Sequence, residues 1–184
     1  MTAKAKKAKE APEPIKYDLG CGNNKREGFT GVDIVKTDAA DIVFDLFEPK
    51  WTFAKDNSVD ELHCSHFIEH VPDMMAFMNE CHRILKPDAQ MIVIAPYYTS
   101  VRCWQDPTHK NAISEASFIY YNKDWRVQNK LEHYPITADF NFTIYYHVEP
   151  EWALKHEDVR NFAIKHYFNV VLDIQVCLTK KQPS

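Results

Sequence analysis

The longest apolar run in the chain is MIVIAPYY, residues 91–98. An unbroken apolar stretch of this length, ending at a proline, is a strand covered on both faces, as strands of a parallel sheet are. The segment before it has a different period. Val71, Met74, Met75, Met78, Cys81 and Leu85 recur at intervals of three and four, which places one buried face on a helix. Pro72 and Asp73 suit the first turn of that helix, and Lys86-Pro87 stops it. A helix leading into a two-sided strand is half of a crossover unit, so the chain is constrained toward alternating strand and helix around a mostly parallel sheet.

The remaining segments fit this frame. Residues 15–19, 29–35 (FTGVDIV), 41–46 (DIVFDL) and 59–64 (VDELHC) read as strands one to four, with 90–95 as the fifth. Residues 97–138 are rich in aromatics and show no clean period. Strand character returns at 140–147, residues 150–167 can form a helix, and residues 169–179 (NVVLDIQVCLT) close as a strand. At 184 residues the chain suits one domain with a single core, spanning residues 15–184. Residues 1–14 precede it as a flexible lysine-rich lead, with four lysines and two glutamates ahead of a body that carries the rest of the net −4 charge. An acidic body gives no strong nucleic-acid signal. No apolar run approaches the roughly 20 residues needed to span a bilayer, so no membrane partner is expected. Five scattered cysteines without a CxxC pair indicate neither a disulfide framework nor a zinc knuckle. With no signal-peptide pattern at the start, a cytoplasmic setting is expected.

In such a sheet, ligands bind beyond the C-terminal strand ends, where the strand order reverses. Four features fall there. The stretch DLGCGNN, residues 18–24, uses two of the chain's four glycines, and glycine permits a tight turn and close approach to bare backbone. Asp33 ends the second strand, Asp45 the third, and Ser65-His66 follow the fourth. A carboxylate in the position of Asp33 can accept hydrogen bonds from both hydroxyls of an adenosine ribose, while the glycine turn receives the tail of the same ligand. Either acid could instead cap a turn. A dinucleotide site wants GxGxxG opening a full helix, but Lys25 stands at the third glycine position. The nine residues between Gly22 and Val32 leave room for at most a turn or two of helix. This spacing favours a smaller adenosyl ligand without phosphates.

The ordered set DLGCGNN, GVDIV, DIVFDL, SVDELHCSHFIEHVPD and ECHRILKPDAQMIVIAP, over residues 16–98, resembles a class I S-adenosylmethionine-dependent methyltransferase of the small type 11 kind. The resemblance implies S-adenosyl-L-methionine as cofactor and a Rossmann-like α/β fold. Its seven-stranded sheet has order 3-2-1-4-5-7-6, the seventh strand antiparallel and the first helix shortened. It further implies that Asp18, Gly20, Cys21 and Gly22 line the methionyl part, Asp33 grips the ribose, Ile34 packs beside the adenine, Asp45 with Leu46 faces the adenine amino group, and Ser65 and His66 close over the cofactor. The sequence departs from the family pattern at Asn24, where a third glycine is common.

Two further clusters stand out. His66, Glu69 and His70 in HFIEH invite a metal reading, yet HExxH needs the glutamate directly after the first histidine. No metal is therefore assigned, and His70 is read as tying down the turn before the helix. The segment VRCWQDPTHKN, residues 101–111, follows the fifth strand and adjoins the transferable methyl. His109 oriented by Asp106 is the candidate general base, with Tyr97 or Tyr98 as a positioning donor. The alternative is an aromatic cover on the sheet. Residues 97–140, with the aromatics from Phe118 to Tyr121 and Trp125, form the expected acceptor or lid region. The expected partner is a small or conjugated acceptor, and a homodimer is compatible with so short a chain. A non-catalytic cofactor-binding or protein-interaction module of the same fold, and an NAD-dependent oxidoreductase, remain as other readings.

Overall fold

The computed structural model describes residues 13–182; most of the lysine-rich lead lies outside them. Seven strands form one sheet: β1 (Lys16–Leu19), β2 (Thr30–Asp33), β3 (Ile42–Val43), β4 (Val59–Ser65), β5 (Leu85–Pro96), β6 (Phe140–Val148) and β7 (Val171–Lys180). Their order is β3-β2-β1-β4-β5-β7-β6. Neighbouring pairs from β3 to β5 are parallel, whereas β7 runs antiparallel to both β5 and β6. The expected topology is therefore present. The order reverses between β1 and β4, which places the crevice at their C-terminal ends.

The strand is where the apolar run put it, but only one face is fully covered. Met91, Val93 and Ala95 are buried in the core with Leu19, Val32, Leu62, Cys64, Ile174, Val176 and Leu178, while Ile92 and Ile94 on the other face are half-buried. Its helix, α1 (Met74–Ile84), is capped by Asp73, whose carboxylate accepts from the Ala76 N–H at 3.0 Å. Phe77, Met78, Cys81 and Ile84 make the buried face, while Met74 and Met75 are only partly covered. Strand β5 begins at Leu85, earlier than the sequence suggests, because its pairing with β4 shifts register: Val59 pairs Leu85, then Glu61 pairs Gln90. Residues 86–89 bulge between those pairs, so Pro87, which lacks an N–H, removes no ladder bond there.

Elsewhere the chain is more broken than its sequence implies. Shortening of the first helix goes to its limit, since residues 20–29 form turns. The expected helix over residues 150–167 is two, α5 (Pro150–Ala153) and α6 (Glu157–His166). Each has its own N-cap side chain, Glu149 and His156, which ends one helix and restarts another. The aperiodic segment after β5 contains three short helices, α2 (Val101–Gln105), α3 (Ala116–Ile119) and α4 (Lys123–Gln128). Such pieces are too short to show a helical period. No helix among the described residues is long and apolar enough to cross a membrane.

Candidate active site

The glycine turn is built by hydrogen bonds from both sides. The Gly20 N–H donates to the Val32 carbonyl at 2.8 Å, folding the chain back over the end of β2. Gly20 and Gly22 have φ of +67° and +54°, a region that disfavours any side chain. Their bare faces differ. A Cβ on Gly20 would lie 2.2 Å from the Phe67 ring, whereas one on Gly22 would meet nothing within 4 Å. The first glycine is required by a protein neighbour, and the second leaves backbone open to an incoming group. Phe67 also stacks on Phe47 at 5.8 Å, joining the exits of β3 and β4 above the turn.

Asp33 is wired to this open glycine. Its Oδ2 accepts from the Gly22 N–H at 2.8 Å and its Oδ1 from the Val35 N–H at 2.9 Å. A carboxylate offers about four lone-pair sites, so each oxygen keeps one. Asp18, only 3% exposed, holds the base of the turn. Its Oδ2 accepts from the Arg26 N–H at 2.7 Å, and its Oδ1 lies 2.7 Å from His63 Nδ1 across the β1–β4 pair. Burial and the nearby Asp33 and Asp18 charges push the Cys21 thiol up to about 11, so it stays protonated and contributes as a loop residue. Asp45 takes the turn-capping option, its Oδ1 accepting from the Phe47 N–H at 2.9 Å. Leu46 is buried in the core, while Ile34 is 59% exposed. Ser65 ends β4 and His66 follows it, with φ of +52°, an uncommon backbone state for a residue with a side chain. A depression of about 340 Å³ lies beside the turn, lined by Asp18, Gly20, Cys21, Arg26, His63 and Ser65.

A second depression, of about 370 Å³, opens at the ends of β4 and β5. His66, Glu69, His70, Arg102, Asp106 and His109 contribute to its wall. Two sequence expectations change here. His109 is not oriented mainly by Asp106. Its Nδ1 lies 2.8 Å from the Cys103 carbonyl, to which only an N–H can donate, and the Asp106 Oδ2 stands 3.9 Å from Nε2. Asp106 is spent on its own turn, with Oδ1 accepting from the Thr108 N–H and hydroxyl at 2.8 and 2.7 Å. These bonds hold its carboxyl below the usual carboxylate range. Nor is Tyr97 a free donor. It is 2% exposed, and its hydroxyl donates to Glu115 at 3.0 Å. Burial and that carboxylate push its ionisation well above the ordinary tyrosine value. Tyr146 donates to the other Glu115 oxygen at 3.1 Å, so the three side chains tie the exit of β5 and strand β6 to the start of α3. Trp104 is 63% exposed. Phe118 belongs to the core, but Tyr120 and Tyr121 line a third, largely apolar pocket of about 380 Å³ with Met74, Met75, Tyr134 and Ile136.

Residues 17–93 match a family described as a methyltransferase domain. A SAM-dependent methyltransferase from Archaeoglobus fulgidus has a TM-score of 0.61 at 17% identity, covering 91% of this chain and 86% of that one. A chain of the complex between the Haloferax volcanii Trm112 methyltransferase activator and the putative methyltransferase gives 0.60 at 14%, covering 94% and 84%. The geranyl diphosphate C-methyltransferase of Streptomyces coelicolor A3(2), in complex with Mg2+, geranyl-S-thiolodiphosphate and S-adenosyl-L-homocysteine, gives 0.56 at 14%, covering 92% and 70%. No curated protein matches the sequence. The chain has the fold of class I S-adenosylmethionine-dependent methyltransferases. At such identities the structural likeness is one of fold, and what is particular to this methyltransferase-fold chain lies in its own side chains.

One of these was missed in the sequence. Glu69 is 1% exposed, and its Oε2 has no hydrogen-bond partner. Its Oε1 lies 3.6 Å from His66 Nδ1 and 4.0 Å from His109 Nε2. The only sequence signal was a glutamate beside His70 in HFIEH. Its convergence with His109, 40 residues away, depends on how the exits of β4 and β5 meet. The Glu69 carbonyl fixes that meeting by accepting from the Lys110 and Asn111 N–H groups at 2.7 and 3.0 Å.

Proposed function

We propose that this chain transfers a methyl group from S-adenosyl-L-methionine to a small or conjugated acceptor. The observation that carries the reading is the pairing of Gly22 with Asp33. An open left-handed glycine donates its amide to a carboxylate that keeps acceptor capacity for two ligand hydroxyls. The residues present fit the cofactor on that ground: Asp33 would receive the ribose, the Gly20–Gly22 backbone would lie along the methionyl part, and Ser65 and His66 would border it. The turns replacing the first helix make a poor pyrophosphate cradle, which disfavours a dinucleotide.

The cofactor supplies a methyl already activated on a sulfonium, so the protein's tasks are alignment and exclusion of water. Proton removal is added when the acceptor is a hydroxyl or an ammonium. The acceptor end of the site is the depression at His66–His109, continued along residues 110–112 toward the apolar pocket of Tyr120, Tyr121 and Tyr134. Within it, His109 is held at Nδ1 by the Cys103 carbonyl, and its Nε2, beside Glu69 and Asp106, receives the acceptor proton. Asp106 shapes the loop that carries it.

Calorimetry of the full chain with S-adenosyl-L-methionine, S-adenosyl-L-homocysteine and NAD, followed by labelled-methyl turnover over a panel of acceptors, tests the reading. Binding of both adenosyl ligands with turnover on at least one acceptor is expected. Preferential NAD binding would overturn the cofactor assignment. Tight adenosyl binding without turnover on any acceptor would favour a binding module instead.

A further inference from the structure

We propose that Glu69, His70 and His109 form a binding site for a divalent transition-metal ion of the zinc or manganese kind. One ligand atom from each residue lies within 4.8 Å of the others. They come from the turn after β4 and the loop after β5, which the Glu69 carbonyl ties together.

The hydrogen bonds around the cluster decide what it presents. The Thr108 hydroxyl has one proton, donated to Asp106 Oδ1 at 2.7 Å. The contact of 3.0 Å between Thr108 Oγ1 and His70 Nδ1 is therefore a donation from the imidazole. His109 Nδ1 likewise donates to the Cys103 carbonyl. In their neutral forms both rings keep a lone pair on Nε2 and have their other nitrogen anchored to protein. This is the arrangement of metal-bound histidines, whose second N–H is held by a carbonyl, carboxylate or water. The third member is a buried carboxylate with one oxygen unpartnered, a destabilising state unless a cation or donor offsets it. His66 approaches only the other oxygen, at 3.6 Å. Two imidazoles and a carboxylate with one unpartnered oxygen thus meet within 4.8 Å of one another, and a cation would satisfy all three.

The size is suitable. Three atoms no more than 4.8 Å apart share a central point within about 2.8 Å of each, so modest side-chain rotation reaches the ~2.0–2.2 Å of zinc–nitrogen and zinc–oxygen bonds. Asp106 Oδ2 lies 3.9 Å from His109 Nε2, on the wall of the same depression. Two imidazoles and a carboxylate select a borderline transition metal over magnesium or calcium, which favour all-oxygen shells. The HFIEH order, which fails as HExxH, is no obstacle once the second histidine comes from another loop. The site opens on the acceptor depression, so a bound ion would make His109 a ligand and would itself acidify an acceptor oxygen.

The test uses untagged, chelator-stripped full-length protein, with Zn2+, Mn2+ and Mg2+ as separate ligands in calorimetry and Co2+ as a visible-absorption probe. Neither cofactor nor acceptor is present, so the result stands apart from the methyl-transfer reading. One Zn2+ per chain is expected. Glu69→Gln and His109→Ala should each weaken it at least about 10-fold, while His156→Ala, at an exposed histidine elsewhere, leaves it unchanged. Circular dichroism checks folding, and His109→Gln substitutes if either ligand variant unfolds. Absence of stoichiometric Zn2+ binding in folded wild type, unchanged affinity in the ligand variants, or preference for Mg2+ would overturn the assignment.

Discussion

Replacing Asp33 by alanine probes the junction on which the cofactor site rests. The carboxylate holds two backbone N–H groups, those of Gly22 and Val35, at 2.8 and 2.9 Å. A hydrogen bond to a charged group contributes about 1.5–3 kcal/mol when buried. Here Asp33 is only partly buried and Gly22 faces open space, so water can take over both N–H groups in the variant. The net loss should be about 1–2 kcal/mol in total, which for a chain of this size lowers Tm by roughly 3–6 °C. Ligand affinity should fall further, since the variant removes the acceptor for two hydroxyls and releases the Gly22 amide from its fixed direction. A loss of about 1–3 kcal/mol corresponds to roughly 5–150-fold in Kd. Asp33→Asn keeps one acceptor oxygen but turns an amide N–H2 toward the other backbone donor, so it should fall between wild type and alanine on both measures. Thermal unfolding and calorimetry with S-adenosyl-L-homocysteine give the two readouts. Wild-type affinity in a folded Asp33→Ala protein would refute the ribose assignment, and a wild-type Tm would refute the wiring of the turn.

Gly31 is constrained by space rather than by φ: a Cβ there would lie 2.2 Å from the Ala39 carbonyl oxygen, which is backbone, and 2.8 Å from Cys21 Sγ. Gly31→Ala should therefore destabilise the chain by about 1–3 kcal/mol in urea unfolding, and a loss below 0.5 kcal/mol would show the β2 edge to be more yielding. His82 should give a pH-dependent stability. Burial, reinforced by the nearby Lys180 charge, depresses its folded value from the usual 6.5 to about 4. The unfolded state thus binds more protons between those values, and stability is full above about pH 6.5 and lost as pH falls toward 4. After discounting for the partly solvated ring, about 1 kcal/mol should be lost at pH 5 relative to pH 7. His82→Gln should lack this component, and identical pH dependence in both proteins would exclude it.

How much of this was legible in the sequence depends on the range of the interactions. The apolar run of β5, the amphipathic face of α1 and the glycine turn are local patterns, set by side-chain hydrophobicity and backbone sterics over a few residues. Parallel pairing of the strands they define then brings Asp18, Gly22, Asp33, Ser65 and His66 to one sheet edge. Sequence spacing sufficed for that, because strand ends converge wherever the sheet reverses. It could not distinguish the two glycines, since Phe67 covering Gly20 is a contact between the ends of β1 and β4. Nor could it assign partners after β5. There, three short helices leave no period, Tyr97 turns inward to Glu115, and a main-chain carbonyl rather than Asp106 orients His109. The sequence by itself determined the alternation of strand and helix, and through its family resemblance the sheet order that the structure shows. Tertiary structure alone decided which polar atoms are spent on holding the fold and which, like the second oxygen of Glu69, remain free, because hydrogen-bond capacity is settled only when distant segments meet.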